Sequence, residues 1–418
     1  MKRRVVIAGT GTRALNFAEG LLHRVSEYSE LVGLYDINAS RIKGFNKLIK
    51  AEIPGFTDFE TMLRTVKPDT MLVCVPDYLH PEFIERGFAA GLDVVTEKPM
   101  AMDRAGIERI RRAELKYGKE VIVTFNVRFM PYSAAIKKLL MSNPIGKINN
   151  VVAEWFIDRT HGQEYFHRWH ANMKNGGGLL VHKATHHFDI LNWFLDDEPE
   201  SVFARGSRKV FGDANDFYGE RCSTCQYRNN CWAVMKSRLD DADLNPGSDG
   251  EIFNELFFKA EHEDGYIRDN CCFRRDIDIY DTMSVMINYK NGAVVNYSEN
   301  AYSPWQGYNI IFNGDAGRIE VGTVNRATRP EETKEEDDVI RIIHGTTRQN
   351  VSMEVIPFKS VLTPHGGGDY ALFDQIFGAG GADPLGQKAG SRAGALSALI
   401  GIAANESIIS GKVEKINF

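Results

Sequence analysis

Short apolar runs alternate with amphipathic segments over residues 1–125. The apolar runs predict buried strands, and the segments between them, where apolar residues recur every three to four positions, predict helices. The predicted strands lie at 5–8, 31–35, 70–75, 93–96 and 121–124, and the clearest helices at 81–90 and 104–117. Regular strand–helix alternation of this kind predicts a doubly wound, mostly parallel α/β sheet.

The hydrophobic pattern changes near Asn126, where the regular alternation stops. Longer strands separated by turns are predicted at 149–156, 283–289, 294–298, 309–312 and 318–321, followed by helices at 370–377 and 389–410. This pattern predicts an α+β domain built on a mostly antiparallel open sheet. Because 418 residues exceed one ordinary core, we predict two domains, 1–125 and 126–418, with a cysteine-rich insertion around 213–275.

The composition is ordinary for a globular protein, with 43% hydrophobic residues, 25% charged residues and a formal net charge of −6. It shows no basic surplus of the kind that a nucleic-acid partner requires. The apolar run after Arg4 is too short for a signal peptide, and no stretch approaches the roughly 18 apolar residues of a membrane helix. We therefore expect a cytoplasmic protein without a membrane partner.

A glycine-rich turn joins the first predicted strand to the first helix. Gly9 suits a tight turn, and Gly11 lets the backbone approach a pyrophosphate at a helix N-terminus, where N–H groups and the helix dipole favour an anion. Ala14 takes the third glycine position of the dinucleotide-binding pattern. The residues expected to bind a dinucleotide here are Gly9, Gly11, Thr12, Arg13 and Ala14.

Asp36 ends the second predicted strand, a little over twenty residues beyond the glycines. An acidic residue at this place accepts the ribose hydroxyls of NAD and repels the additional phosphate of NADP. Because both features occur in register, NAD binding is favoured over an ordinary turn aspartate. Arg41 nearby keeps NADP as the alternative cofactor.

Two polar peptides follow buried strands of the parallel sheet, where doubly wound sheets bind their ligands. Pro76 and His80 belong to the first peptide, and Glu97 and Lys98 to the second. We expect all four at the cofactor site. A lysine just past a buried strand and followed by proline is well placed to meet a substrate oxygen near a nicotinamide, although a surface salt bridge is its simpler explanation.

The densest group of titratable residues follows the glycines at 176–178. If 179–194 is one helix, three of these residues share a face at i, i+4 and i+7, and two occupy the adjacent stripe. They are His182, His186 and Asp189 on the face, and Lys183 and His187 on the stripe. This density predicts a polar cleft, whereas the alternative is an amphipathic helix with merely solvated histidines.

An aromatic, donor-rich loop lies just upstream, at 165–170. Arg168 and Trp169 in this loop are candidate contacts to a sugar, and His187 and Asp189 complete the predicted substrate-binding set. A tryptophan in such a loop is otherwise part of a core.

These motifs resemble those of the Gfo/Idh/MocA group of glucose-fructose oxidoreductase-like and inositol dehydrogenase-like enzymes, over nearly the whole chain. The resemblance rests on four motifs: the turn at 9–14, Glu97-Lys98-Pro99, the peptide 126–129 and the stretch 176–189. The resemblance implies an NAD(P)-dependent enzyme whose second domain binds substrate and supports a homo-oligomer. The implied substrates are sugars, glycosides and cyclic polyols.

The resemblance also implies roles for individual residues. Lys98 would touch the reacting hydroxyl, and His186 takes the position of the family's proton-transfer histidine. Asp189 matches the acid that ends the motif, whereas His182 stands where many members have aspartate. Because this substitution leaves the identity of the base open, His182 and Lys183 are retained as further catalytic candidates.

The predicted reaction transfers a hydride between nicotinamide and a secondary alcohol. Imidazole titrates near neutral pH, so His186 suits the base, and Lys98 suits the stabilisation of charge on the reacting oxygen. A metal-assisted hydrolase or lyase with His182, His186 and Asp189 as ligands is one alternative. Another is a redox-neutral enzyme that retains NAD while it epimerises a sugar or cleaves a glycoside, and a third is a sensor without turnover.

Six cysteines in a reducing compartment are expected to be mostly reduced, and their spacing favours metal ligation over disulfides. Cys222 and Cys225 can share a metal, and Cys231 and Cys271 would complete a tetrahedral sulfur site. Cys272 is a substitute for Cys271, because adjacent residues of an extended segment point to opposite sides. We predict one structural zinc ion, with an iron–sulfur cluster or free cysteines as alternatives.

Overall fold

The computed structural model describes residues 1–216, 218–235, 248–324, 338–347, 349–358 and 364–418. The strands of these residues are β1 (Arg3–Ala8), β2 (Ser29–Tyr35), β3 (Gly55–Phe56), β4 (Thr70–Val73), β5 (Asp93–Thr96), β6 (Ile122–Val123), β7 (Ile148–Asp158), β8 (Pro199–Ser207), β9 (Thr282–Tyr289), β10 (Val294–Ser303), β11 (Gly307–Gly314), β12 (Gly317–Val324), β13 (Asp338–His344), β14 (Ser352–Phe358), β15 (Ala389–Gly390) and β16 (Glu414–Lys415). The α-helices are α1 (Thr12–Glu19), α2 (Ala39–Ile49), α3 (Phe59–Val66), α4 (His80–Ala89), α5 (Arg104–Tyr117), α6 (Pro131–Met141), α7 (Arg159–His167), α8 (Met173–Gly176), α9 (Leu179–His182), α10 (Thr185–Leu195), α11 (Asp249–Phe253), α12 (Glu261–Asp264), α13 (Gly368–Ile376) and α14 (Ser391–Ser410).

The first sheet has a parallel core in the order β6–β5–β4–β1–β2–β3. The apolar run of β1, from Val5 to Ala8, is fully buried, as expected of a parallel strand covered on both faces. The predicted doubly wound fold is therefore confirmed, and its strand order is that of a dinucleotide-binding sheet. The carboxyl ends of β1, β4 and β5 carry the glycine turn and the two polar peptides to one edge.

The second sheet runs in the order β14–β13–β12–β11–β7–β10–β9–β8–β16, and β7–β10 is its parallel pair. The predicted, mostly antiparallel sheet is thus confirmed. Burial alternates along its central strands: Val151 and Ala153 of β7 are buried, whereas Val152 and Glu154 are exposed. One face of the sheet therefore packs against the core of the protein and the other is open.

The chain returns to the first domain near its C-terminus, which a simple division at residue 125 does not convey. β15 adds an antiparallel strand to the edge of the first sheet beside β6. α13 packs on α1, where the rings of Phe17 and Phe373 lie 5.3 Å apart. Gly20 permits this approach, because a Cβ atom there would lie 2.6 Å from the Phe373 ring. The two domains are consequently in firm contact.

α14 corrects the expectation that no stretch is apolar and long enough for a membrane helix. This 20-residue helix is long and apolar enough to cross a membrane by length and composition. Most of the helix, including Ala398, Ile400 and Ala403, is buried inside the protein. It packs on β8, α9 and α10, so its apolar character follows from its place in the core.

Candidate active site

One cavity of about 1360 Å³ is lined by the carboxyl edge of the first sheet and by the second domain. The predicted site residues that line it are Gly9, Gly11, Thr12, Arg13, Asp36, Pro76, His80, Glu97, Lys98, Arg168, Trp169, His182, Lys183, His186 and His187. Ala14, on the buried face of α1, does not line it. The structure therefore brings most of the predicted residues of both domains to a single cleft.

The glycine turn forms an open cradle at the start of α1. A Cβ atom on Gly11 would meet no atom within 4 Å, so the backbone beside the helix N-terminus is accessible to a ligand. Gly9 has a φ of +95°, and a Cβ atom there would lie 2.6 Å from the carbonyl carbon of Cys74. The conformation of Gly9 thus makes the turn, and Gly11 leaves the room that a pyrophosphate needs.

Asp36 is held by four hydrogen bonds at the end of β2. One carboxylate oxygen accepts from the Thr10 backbone and hydroxyl at 2.9 Å each, and the other accepts from the Asn38 backbone at 3.0 Å and from Arg41 at 3.1 Å. Arg41 also donates to Asp264 at 2.6 Å. Because two carboxylates neutralise the Arg41 guanidinium, this end of the cavity is poorly prepared for a further phosphate.

Glu97 and Arg13 connect the glycine turn to distant parts of the chain. Glu97 accepts hydrogen bonds from Arg13 at 3.1 Å and from the Thr124 hydroxyl at 2.6 Å. Arg13 also donates to both carboxylate oxygens of Asp369 on α13, at 2.8 and 3.1 Å. Arg13 therefore joins Glu97, which follows β5, to Asp369 through a bidentate ion pair, and this fixes the strand ends around the cavity.

Lys98 lies at the junction of the two domains. Its ammonium group donates to the carbonyl oxygen of His182 at 3.1 Å, which leaves further N–H donors for a ligand. Burial lowers the pKa of Lys98, and the charges of Asp77 and Glu97 oppose this shift. His80 supports the peptide, because its ring nitrogens lie 2.8 and 2.9 Å from the carbonyl oxygens of Pro99 and Val75.

The predicted single helix at 179–194 is wrong in one respect. α9 ends at His182 and α10 begins at Thr185, so the chain makes a break at Lys183 and Ala184. His182 therefore does not share a helical face with His186, although both line the cavity. His186 lies on the first turn of α10, with its ring 5.9 Å from that of Phe125.

His182 is paired with a carboxyl group that the sequence patterns did not single out. Its Nδ1 lies 2.5 Å from Oδ2 of Asp77, and its ring is 4.0 Å from the ring of His170. Burial raises the pKa of Asp77 to about 7. Burial and the charge of Lys98 hold the pKa of His182 well below its usual range, and burial does the same for His170. Both imidazoles are therefore neutral at physiological pH.

A second buried network stands behind the break between α9 and α10. His187 Nδ1 lies 2.8 Å from the Tyr297 hydroxyl, which donates to Glu299 at 3.1 Å. The His187 ring stacks on Trp155 at 4.3 Å. Burial raises the pKa of Glu299 to about 8 and lowers that of Lys183 to about 8, with their mutual attraction opposing both shifts.

The structure gives Asp189 a setting that differs from the predicted contact with substrate. It is 1% exposed and forms a bidentate ion pair with Arg128 at 2.6 and 2.7 Å. Among the described residues that line the cavity, Asp189 does not occur. On α10 it lies three residues after His186 without an interruption of the helix, and it faces the side that packs against Arg128.

The predicted metal ligands lie away from this cleft. Cys222, Cys225, Cys231 and Cys271 line one small separate cavity, together with Cys272 and His167. All six cysteines of the chain are free thiols in the structure. The cluster thus brings together residues that are up to fifty positions apart in the sequence.

Several site residues escaped the sequence patterns. Asp77 follows Pro76 in the peptide after β4. A parallel sheet presents ligand groups at this position, so the position itself could have identified Asp77 from the sequence. The others come from the second sheet and carry no local signal: Trp155 and Tyr308 line the cavity, whereas Tyr297 and Glu299 lie behind His187. Only the tertiary fold brings them to these places.

The glycine cradle, the acidic end of β2, and a lysine beside histidines in one cleft define a nicotinamide-dependent oxidoreductase. The chain belongs to the Gfo/Idh/MocA oxidoreductase family. Residues 3–125 match the family's NAD-binding Rossmann fold, and residues 137–416 match its C-terminal alpha/beta domain. The resemblance inferred from the motifs is thereby confirmed.

Known relatives agree with this assignment. The chain is 32% identical to "Putative oxidoreductase YteT" of Bacillus subtilis, over 96% of this chain and 94% of the relative. It is 25% identical to inositol 2-dehydrogenase of Rubrobacter xylanophilus, over 48% of this chain and 55% of that enzyme. The WlbA dehydrogenase of Bordetella pertussis, solved with NADH and UDP-GlcNAcA, shares the fold with a TM-score of 0.65 at 19% identity and full coverage of both chains. Levoglucosan dehydrogenase, solved with NADH and levoglucosan, does so with a TM-score of 0.67 at 16% identity, also with full coverage.

Proposed function

We propose that the protein is an NAD-dependent dehydrogenase that acts on a secondary alcohol of a sugar, glycoside or cyclic polyol. The observation that carries the proposal is the position of Lys98, His182 and His186 in the same cavity as the glycine cradle. The inositol and levoglucosan dehydrogenases among its relatives support a polyhydroxylated substrate.

In the proposed mechanism, bound NAD supplies the hydride acceptor. Lys98 donates a hydrogen bond to the reacting hydroxyl and stabilises the negative charge that develops on its oxygen. His186 accepts the hydroxyl proton from the other side of the cleft. The backbone carbonyl of His182 positions Lys98, and the His182 ring with Asp77 forms a second proton acceptor in the same cavity.

Aromatic side chains would provide the surface for the apolar face of a sugar. Trp169 and Tyr78 meet edge to face at 6.4 Å, and Trp155 stacks on Tyr308 at 5.0 Å, all at the cavity wall. Such rings bind ring carbons, while Arg168 supplies hydrogen bonds to hydroxyl groups. This division of roles supports a carbohydrate over an extended apolar substrate.

NAD is the proposed cofactor, because Asp36 ends the second strand, where an acidic residue would accept the ribose hydroxyls, and because the charge of Arg41 is already shared by Asp36 and Asp264. NADP would place a phosphate beside two carboxylates. Electrostatic repulsion there disfavours its binding.

A specific observation favours a second candidate function. Asp77, His170 and His182 have ligand atoms that all lie within 4.8 Å of one another, which suits a divalent cation. A metal-assisted lyase would therefore use these three residues, and not the pair His182 and His186 proposed from helical spacing. In a redox-neutral version of either enzyme, NAD would be reduced and reoxidised on the protein.

The test begins with mass spectrometry of the nucleotide that the purified protein releases on denaturation. A screen of polyols, sugars and glycosides with that nucleotide then follows the formation of NADH. Net NADH supports the dehydrogenase, and product without net NADH supports the redox-neutral enzyme. A chelator should abolish the turnover of a metal-assisted lyase, and a divalent cation should restore it. If His170→Ala shows this same behaviour with its turnover retained, the Asp77 cluster is not the ligand set.

A further inference from the structure

The cysteine-rich insertion packs against the first domain. The Asn38 side chain donates to the carbonyl oxygen of Ala260 at 2.8 Å, and Glu263 accepts from the Ser40 hydroxyl at 2.5 Å. Arg41 donates to Asp264, and Lys47 lies 2.6 Å from Glu255. The insertion therefore covers the start of α2, beside the carboxylate of Asp36.

The two ends of this insertion meet at the thiol cluster. The Cys222 backbone N–H donates to the carbonyl oxygen of Asp269 at 2.8 Å, and that of Cys271 donates to Glu220 at 2.9 Å. Cys225 and Cys231 follow Cys222 within one loop, and their side chains line the same cavity. The main-chain contacts thus bring the thiols of the first end against those of the second.

We propose that Cys222, Cys225, Cys231 and Cys271 bind one zinc ion that staples the two ends of the insertion together. Five cysteine side chains surround one small cavity: Cys222, Cys271 and Cys272 are buried, and Cys225 and Cys231 are half-buried. Four thiolates satisfy the tetrahedral preference of zinc and leave no open position for substrate. The cysteines differ in this respect from the open group of Asp77, His170 and His182.

His167 strengthens the assignment of a metal centre. It is fully buried and lines the same cavity, and its Nε2 has no hydrogen-bond partner. Its Nδ1 lies 2.5 Å from the carbonyl oxygen of Asn270, which fixes the ring, and 4.0 Å from the Cys222 sulfur. A polar ring held this way beside thiols is typical of the surroundings of a metal.

Zinc binding would draw the sulfur atoms closer than they are in the structure. Zn–S bonds of about 2.3 Å place tetrahedral ligands roughly 3.8 Å from one another. The tightest group of potential ligands among the described residues is the cluster at Asp77, not the thiols. The main-chain hydrogen bonds Cys222–Asp269 and Cys271–Glu220 already hold the two ends together, so the proposed closure requires movement of the cysteine side chains.

The consequence extends to the cofactor site, a step that rests on the proposed NAD dependence. The proposed zinc ion would close a loop that carries Glu263 and Asp264. Glu263 accepts a hydrogen bond from the start of α2, and Asp264 accepts one from Arg41. Loss of the metal would release this loop and loosen the ribose end of the cavity. NAD binding should therefore weaken by about tenfold, a coupling typical of linked sites.

Elemental analysis of the purified protein, with mass spectrometry of native and denatured protein after alkylation, tests the site without any use of activity. We expect close to one zinc ion per chain and protection of the four ligand cysteines until the metal is removed. Cys225→Ser should lose zinc and lower the Tm, because metal binding is coupled to folding. Cys74→Ser, in the other domain, is the matched control and should retain zinc.

A comparison of Cys271→Ser with Cys272→Ser decides which adjacent residue is the ligand, and zinc retention in Cys271→Ser would overturn the assignment of Cys271. Stoichiometric iron and sulfide with a visible absorption band would overturn zinc as the metal. Absence of bound metal, with all thiols of the native protein open to alkylation, would overturn the site. Isothermal titration with NAD then tests the coupling: unchanged affinity after zinc removal contradicts the link, whereas no binding to the zinc-loaded protein contradicts the proposed function alone.

Discussion

His182 stands where the family resemblance implied an aspartate in many members. Here an imidazole occupies the position, and a carboxyl group reaches it from Asp77 on another element. The pair keeps an acidic group near Lys98 while it adds a proton carrier.

The roles of the lysine and the histidines are tested by single substitutions. Lys98→Ala and His186→Ala should each lower kcat by about 10²-fold or more, because each removes a positioned donor or base from the transition state. His182→Ala should cost less, since its partner Asp77 remains. Steady-state kinetics and NAD titration measure both effects. A larger loss of kcat in His182→Ala than in His186→Ala would show that the base is the His182–Asp77 pair.

Cofactor preference depends on Asp36. Asp36→Ala should raise kcat/KM for NADP relative to NAD by about tenfold, the effect of one charge-assisted contact of roughly 1.5 kcal/mol, because it also frees Arg41 to meet a phosphate. Asp264→Asn is the matched control, because it removes the other partner of Arg41 and leaves Asp36. Initial rates with both cofactors check the prediction. Equal efficiency of NAD and NADP in the unsubstituted protein would contradict it.

At the scale of elements, the break between α9 and α10 decides which side chains face the cleft. Two short helices aim His182 and His186 into the cavity from different directions, and the second helix carries Asp189 to the packed side. The 126–129 turn supplies Arg128 as its partner. The buried ion pair therefore joins the domain border to α10.

Substitution of Asp189 separates a structural role from contact with substrate. Asp189→Asn should lower the free energy of unfolding by about 3 kcal/mol, because the Arg128 guanidinium loses its buried counter-charge. The KM for substrate should change little. Urea denaturation and kinetics of the folded fraction provide the measurements. Asp196→Asn, at the exposed end of α10, is the control, and a raised KM with unchanged stability would restore the predicted substrate contact.

At the scale of the whole molecule, two domains, an insertion and the returning C-terminal segment enclose the cleft together. The open face of the second sheet, where Val152 and Met286 are exposed, agrees with the homo-oligomer that the family resemblance implied. That assembly and a cytoplasmic location stay predictions. Light scattering of the purified protein measures the first.

The buried titratable groups predict a maximum of stability near pH 6.5. Burial raises the pKa of Asp77 to about 7 and that of Glu299 to about 8, so the stability that they contribute is lost as the pH rises through these values. Burial lowers the pKa of buried histidines, whose contribution is present above about 6.5 and lost as the pH falls. They are His161, His167, His170, His182 and His187.

Thermal unfolding between pH 5 and pH 8 checks this balance. The Tm should fall on both sides of the maximum, and Asp77→Asn should flatten the decline on the alkaline side. A Tm that rises steadily from pH 6.5 to pH 8 would contradict the assignment of protonated carboxyl groups to Asp77 and Glu299. Bound NAD must be absent, because a ligand of the folded state shifts the Tm by mass action.

Local patterns in the sequence determined the parallel sheet, the antiparallel sheet, the glycine turn and the places of Asp36 and Lys98. These features depend on residues close together in the sequence. Within one strand–turn–helix unit, the spacing of apolar residues and the residue types in the turn determine the backbone conformation. The cysteine spacing likewise pointed to a cluster, and the structure groups the same residues. Short-range physics was sufficient for each of them.

Only the tertiary structure decided which groups meet in the cleft. A break of two residues between α9 and α10 separated His182 from the face of His186, and packing against Arg128 kept Asp189 out of the cavity lining; helical spacing reveals neither. Asp77, Tyr297 and Glu299 reach the histidines through packing between elements far apart in the chain. Their protonation depends on burial, and burial is a property of the assembled fold, because it takes both domains to remove the water.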